Sequence, residues 1–197
     1  MRIILIFFCC ILWLGKVAIA QQHVTVNVIK VDSTFDKESA SRLEFATTEL
    51  ERVFNSDAFH QAVLREKFTV GNYNLTSAEI YELIVSGMDN YKDKPKDYSI
   101  DLRVSVFPNY QGHGNYGITD MNTRITRTHR CFILNNDVKC YIGHLAHEYM
   151  HQIGFYDERT WVLLGKKTSS VPYRIGNIVN KLIGNDDACP AINKTCN

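Results

Sequence analysis

Residues 144–157 read His-Leu-Ala-His-Glu-Tyr-Met-His-Gln-Ile-Gly-Phe-Tyr-Asp, and the interpretation of the whole chain turns on them. Within them lies His147-Glu148-x-x-His151. Positions four apart share one face of a helix, so both imidazoles can reach the same ion. Glu148 stands beside the first of them, where its carboxylate can hold and deprotonate a water. At the chain's own His and Glu content such a pattern arises by chance roughly 0.01 times in a sequence of this length, so two unrelated surface histidines are the weaker reading.

Catalytic zinc takes three protein ligands and keeps a fourth position open. Gly154 follows His151 by three residues, and Asp157 follows Gly154 by three more. A glycine can take the left-handed conformation that ends a helix and turns the chain back, which lets Asp157 approach the ion from below. Adding this glycine and a ligand-type residue to the pattern lowers the chance expectation to roughly 0.0001. Glu158 adjoins Asp157 and is the alternative third ligand; Asp186 and Asp187 are the only later carboxylate side chains, and no His follows 151. His144 is read as lying on the helix face of His147 and His151, one turn earlier. A fourth ligand there would fill the open position, so it is read as a neighbour of the site or a surface residue. His113, between two glycines, is read as a loop histidine, and Tyr149 and Tyr156 as packing residues.

The motif His147-Glu148-x-x-His151-x-x-Gly154-x-x-Asp157 resembles that of the metzincin zinc metallopeptidases, whose third ligand stands six residues after the second histidine. The aspartate version looks like that of snapalysin-type secreted bacterial enzymes. The family's second mark is a tight turn of the form Ser-x-Met-x-Tyr. Ser169-Ser170-Val171-Pro172-Tyr173 fits that spacing with Val171 in place of the methionine. The resemblance implies Zn²⁺ held by His147, His151 and Asp157. It also implies Glu148 as general base, Tyr173 as the residue that steadies the oxyanion, and a cleft-lining strand among residues 117–130 that pairs with an extended substrate. The implied fold is zincin-like: a twisted mixed sheet backed by helices, an active-site helix, then a small C-terminal subdomain. The motif and turn cover about 35 residues of the chain.

Upstream of the motif the patterning is that of an α+β domain. His23–Val31 alternates as a strand does. Asp36–Phe54 carries Leu43, Ala46, Leu50, Val53 and Phe54 on one helical stripe, and a short helix is expected over 58–64. Thr76-Ser77-Ala78-Glu79 has the form of a capping box, opening a helix with Ile80, Leu83, Ile84 and Met88 on its stripe and its end near Gly87. Residues 90–97 are polar and Lys-rich, a solvated loop. Tyr98–Phe107 and Arg124–Leu134 read as strands, Pro108–Tyr116 as a loop, and Asn135-Asn136-Asp137 as a turn. The third helix, Cys140–Ile153, carries the motif, and a last helix spans 172–183.

The chain's start has the order of a secretory signal peptide: Met1-Arg2, an apolar run over 3–14, and Ala18-Ile19-Ala20 before Gln21. The run is too short to span a bilayer. Residues 21–197 then form one domain, 21–154 and a C-terminal subdomain 155–197. Without residues 1–20, 20 Lys and Arg stand against 21 Asp and Glu, a net charge of −1. A near-neutral chain without basic clusters argues against nucleic acid or an anionic membrane as partner. Cys131, Cys140, Cys189 and Cys196 remain, and an even number in an exported chain favours disulfides; the local pairing 131–140 with 189–196 is preferred. The sequons at Asn74 and Asn193 matter only on a eukaryotic secretory route. The expected protein is a secreted or periplasmic monomeric zinc endopeptidase acting on protein or peptide. A secreted binding protein that keeps the fold without turnover is the alternative, and the intact Glu148 weighs against it.

Overall fold

The computed structural model describes residues 23–87, 96–107, 116–157, 169–185 and 189. The signal segment, Met88, residues 90–95 of the polar loop, His113, Glu158, Asp186, Asp187, the Asn193 sequon and Cys196 lie outside them.

In chain order the elements are β1 (Thr25–Lys30), α1 (Lys37–Phe54), α2 (Asp57–Arg65), α3 (Ser77–Val85), β2 (Ser99–Phe107), β3 (Gly117–Asp120), β4 (Ile125–His129), α4 (Arg130–Asn135), α5 (Val138–Gln152) and α6 (Val171–Leu182). The strands make one mixed sheet in the order β1-β2-β4-β3. β1, β2 and β4 run parallel, and β3 returns antiparallel to β4 at the edge. The class is α+β, as the patterning predicts.

Each early helix begins where a side chain can take up its unpaired N–H groups. Asp36 accepts from the Ser39 N–H at 2.8 Å to start α1, and Ser56 accepts from Phe59 at 3.1 Å to start α2. At α3 the capping box is complete: Thr76 Oγ1 accepts from the Glu79 N–H, and Glu79 accepts from the Thr76 N–H at 2.7 Å. The predicted stripe of α1 is buried throughout. It meets Ile100, Leu102, Val104 and Val106 of β2 in one core with Ile142, Leu145, Ala146 and Met150 of α5. Glu51 of α1 and the C-cap residue Asn55 also close the outer edge at the start of β1. Glu51 accepts from the Val26 N–H at 2.8 Å, and Asn55 bonds both the N–H and the carbonyl of Val24. β3, at the opposite edge, has no further strand beside it among the described residues.

Two expectations are corrected. The strand expected over Arg124–Leu134 stops at His129, and Arg130–Asn135 forms α4. Tertiary contacts override the β-favouring side chains there: Phe132 and Ile133 are buried, and the Arg42 guanidinium donates to the carbonyls of Ile133 and Asn136 at 3.0 and 2.9 Å. The preferred disulfide pairing is also overturned, because Cys140 is bonded to Cys189, and Cys131 is itself in a disulfide. After α6 the chain folds back over the start of α5. Lys139 donates to the Gly184 carbonyl at 3.2 Å, and Asn185 lies against both sulfurs of the bridge. Among the described residues no helix is long and apolar enough to cross a membrane.

Candidate metal centre

Helix α5 is buried on most of its circumference, and its polar residues fall into two stripes. His144, Glu148 and Gln152, spaced four apart, touch threonines of β3 and β4. His147 and His151 lie on the adjacent face, beside Asp157 and α6. That adjacency needs a close approach of α5 and α6, and glycines allow it. A Cβ on Gly143 would stand 2.1 Å from Asn180 Oδ1, and one on Gly176 would stand 3.2 Å from the His147 Cβ.

α5 ends in the double-bonded glycine turn that reverses a helix. Gly154, at φ +108°, donates to the His151 carbonyl at 3.0 Å, and Phe155 donates to the Met150 carbonyl at 2.9 Å. The loop at 70–75 braces this turn: the Tyr73 ring stacks on Phe155, and its hydroxyl donates to the Gly154 carbonyl at 3.4 Å. The reversal delivers Asp157 to the two histidines. His147 Nε2 and His151 Nε2 are 3.2 Å apart, and Asp157 Oδ2 is 3.7 and 3.6 Å from them. The three form a group that could hold a metal ion. A tetrahedral ion bound at about 2.0–2.1 Å needs its ligand atoms about 3.3 Å apart, and this donor set lies close to that spacing before any adjustment.

Outer contacts orient the ligands. The Phe155 carbonyl can only accept, so the His151 Nδ1 at 2.7 Å carries the proton, which leaves Nε2 its lone pair for a metal. Ser170 donates to Asp157 Oδ1 at 2.5 Å, so that Oδ2 faces the histidines. Burial, with a smaller push from His151, holds the His147 pKa down to about 4 against the pull of Glu148 and Asp157, so its ring is neutral at physiological pH. Burial also opposes charge on His151 and Asp157. For His151 it is outweighed by the Asp157 hydrogen bond and the nearby carboxylates, and the pKa rises. For Asp157 it is outweighed by His151, His147 and Ser170, and the pKa falls.

Glu148 is 5% exposed. Its Oε2 accepts from the Thr119 hydroxyl at 2.6 Å, and its Oε1 lies 3.7 Å from His144 Nδ1 and 4.0 Å from His147 Nε2. Tyr173, in the first turn of α6, sets its ring edge-on to His147 with centroids 4.5 Å apart. Burial first, then the charges of Asp157 and Glu148, push its pKa up to about 12. Val171, which opens α6, is fully buried.

Of the sequence-predicted residues, His147, Glu148, His151, Asp157 and Tyr173 come together. His144 stands apart from the ligand group, buried among Tyr116, Phe132 and Tyr141. Its Nε2 is 3.2 Å from the Thr128 hydroxyl, and burial drives its pKa down to about 3. Tyr149 packs as expected, its hydroxyl on the Ile84 carbonyl at 3.0 Å, whereas Tyr156 is 51% exposed because the reversing turn points it outward. Ser170, Thr119, Thr126 and Gln152 were not foreseen. Gln152 has a trace in the sequence as the third member of the His144-Glu148-Gln152 spacing, and Ser170 lies inside the Ser169–Tyr173 segment. Compared with protein-family models, with curated proteins and with solved structures, the chain matches none.

Proposed function

We propose that the chain is a secreted zinc endopeptidase of the metzincin kind, with His147, His151 and Asp157 as the metal ligands. The observation that carries the reading is the convergence of two imidazole nitrogens and one carboxylate oxygen within 4.8 Å of one another, beside a buried glutamate. Two nitrogen donors disfavour calcium and magnesium, which take oxygen ligands. Three protein ligands leave room for a fourth, whereas structural zinc fills all four positions from Cys and His. A zinc ion held by these three residues would supply Lewis acidity to a peptide carbonyl and to a water near neutral pH.

The protein's own groups do the rest. With Oε2 engaged by Thr119, Glu148 has Oε1, which lies between His144 and His147, to take the proton of the attacking water and return it to the leaving amine. Tyr173 keeps its proton at neutral pH and donates to the developing oxyanion. β3 is the edge strand beside the site, and an extended peptide adds to such an edge through main-chain bonds. Ile118 on β3 is 56% exposed and meets the side chains of that peptide.

Cleavage of casein by the purified protein, with and without a chelator, tests the reading. We expect cleavage that the chelator abolishes and zinc restores, and none from Glu148→Gln with its zinc retained. Zinc bound without cleavage of any protein substrate would favour a binding protein instead.

A further inference from the structure

The contacts of Glu148 extend past Thr119 into the sheet. Thr119 Oγ1 lies 2.7 Å from Thr126 Oγ1, and Thr126 Oγ1 lies 2.7 Å from Gln152 Nε2. The Gln152 amide also pairs with the main chain of Arg103: its Oε1 accepts from the Arg103 N–H at 3.3 Å, and its Nε2 donates to the Arg103 carbonyl at 3.0 Å. Glu148, Thr119, Thr126 and Gln152 are all buried.

These contacts have a single consistent direction. A backbone N–H only donates and a backbone carbonyl only accepts, so the two Arg103 bonds settle which end of the Gln152 amide is oxygen. Nε2 then has one hydrogen left, and it points at Thr126 Oγ1. Thr126, accepting there, sends its own hydrogen to Thr119 Oγ1. Thr119, accepting in turn, has its hydrogen left for Glu148 Oε2, the nearer of its two Glu148 contacts at 2.6 Å against 3.3 Å for the carbonyl. Every polar group in the chain is satisfied in this direction, and a buried network of that kind is stiff.

We infer that Gln152, Thr126 and Thr119 are positioning residues. They form a one-way hydrogen-bond chain, anchored on the β2 backbone, that locks one oxygen of Glu148 and leaves the other to work. The hydrogen-bond chain stands on geometry alone; its catalytic consequence rests on the peptidase reading above. The strands thus contribute to the site through β3 and β4 as well as through any substrate they hold.

The test uses the zinc-loaded full chain with Thr119→Val, Thr119→Ser and Thr126→Val, which keep the shape and β preference of the strand residues as far as possible. In Thr119→Val we expect kcat to fall by about 10- to 100-fold, the usual range for loss of such an outer contact, with KM and zinc content unchanged. Thr119→Ser restores most of the rate, and Thr126→Val falls between the two. Independently of turnover, the wild type should show slowly exchanging hydroxyl protons on Thr119 and Thr126 by NMR, and Thr126→Val should lose the protection at Thr119. A wild-type kcat in Thr119→Val, or a freely exchanging Thr119 hydroxyl in the wild type, overturns the inference. Should Thr119→Val not fold, Thr126→Val decides by the same rate and exchange criteria. A wild type that cleaves nothing sinks the peptidase reading, and the hydroxyl protection then still decides the chain.

Discussion

Helices α1 and α5 cross the same core and spend their polar residues in opposite ways. α1 has one apolar stripe, Leu43, Ala46, Leu50, Val53 and Phe54, and turns most of its charged residues to solvent. α5 is buried on nearly every side, and among its buried residues are His144, Glu148 and Gln152. A buried polar group costs free energy unless it is paired, and each of these three has a partner in the sheet. The half-buried histidines of α5 face an acid rather than water. α1 thus packs one apolar stripe and turns its polar contacts to the ends of neighbouring elements, whereas α5 carries paired polar groups into the core beside the candidate site.

Substitutions can break this contrast. Leu50→Ala should cost about 2–5 kcal/mol of stability, the range for truncating a buried leucine. It should leave zinc content per folded chain unchanged, as calorimetry and elemental analysis would report. Glu148→Gln is the counterpart in α5: cleavage disappears while the thermal midpoint moves by only a few degrees. A large destabilisation there would mean that the stripe serves the fold. Gly143→Ala tests the spacing between α5 and α6. Its Cβ collides with Asn180, and overpacking of this kind costs roughly 1–3 kcal/mol, seen as a lower denaturant midpoint.

The smallest effect belongs to Asp36, which caps α1 and pairs with Arg130. The Ser39 backbone N–H first, then the Ser39 hydroxyl and Arg130, hold its pKa down to about 2 from an ordinary 3.8. A carboxyl depressed by folding stabilises fully above its unfolded value and loses that contribution as the pH falls through its folded one. The difference in thermal midpoint between wild type and Asp36→Ala should therefore hold nearly steady above pH 3.8 and narrow as the pH falls to and through about 2. A gap undiminished at pH 2 would contradict the capping role.

What the sequence made legible follows the same division. Local rules suffice for α1, for the capping box at Thr76 and for the reversing glycine at 154, because each is a matter of spacing within one segment. The short helix α4 was hidden, since its β-favouring run is held helical by Arg42 from ninety residues away. The Cys140–Cys189 bridge was hidden because it depends on how α6 returns over α5. Ser170 stood inside the predicted turn, yet its contact with Asp157 required both ends of residues 157–170 to be placed. Thr119 and Thr126 carry no mark in a short hairpin that distinguishes them from ordinary strand threonines.

The proposed centre is one zinc held jointly by His147, His151 and Asp157. Elemental analysis of the purified wild type and of Asp157→Ala, both dialysed against the same dilute zinc buffer, tests it most directly. We expect one zinc per wild-type chain and a loss of most of it in Asp157→Ala. Equal zinc in the two proteins would remove Asp157 from the ligand set, and no zinc in either would remove the metal centre altogether.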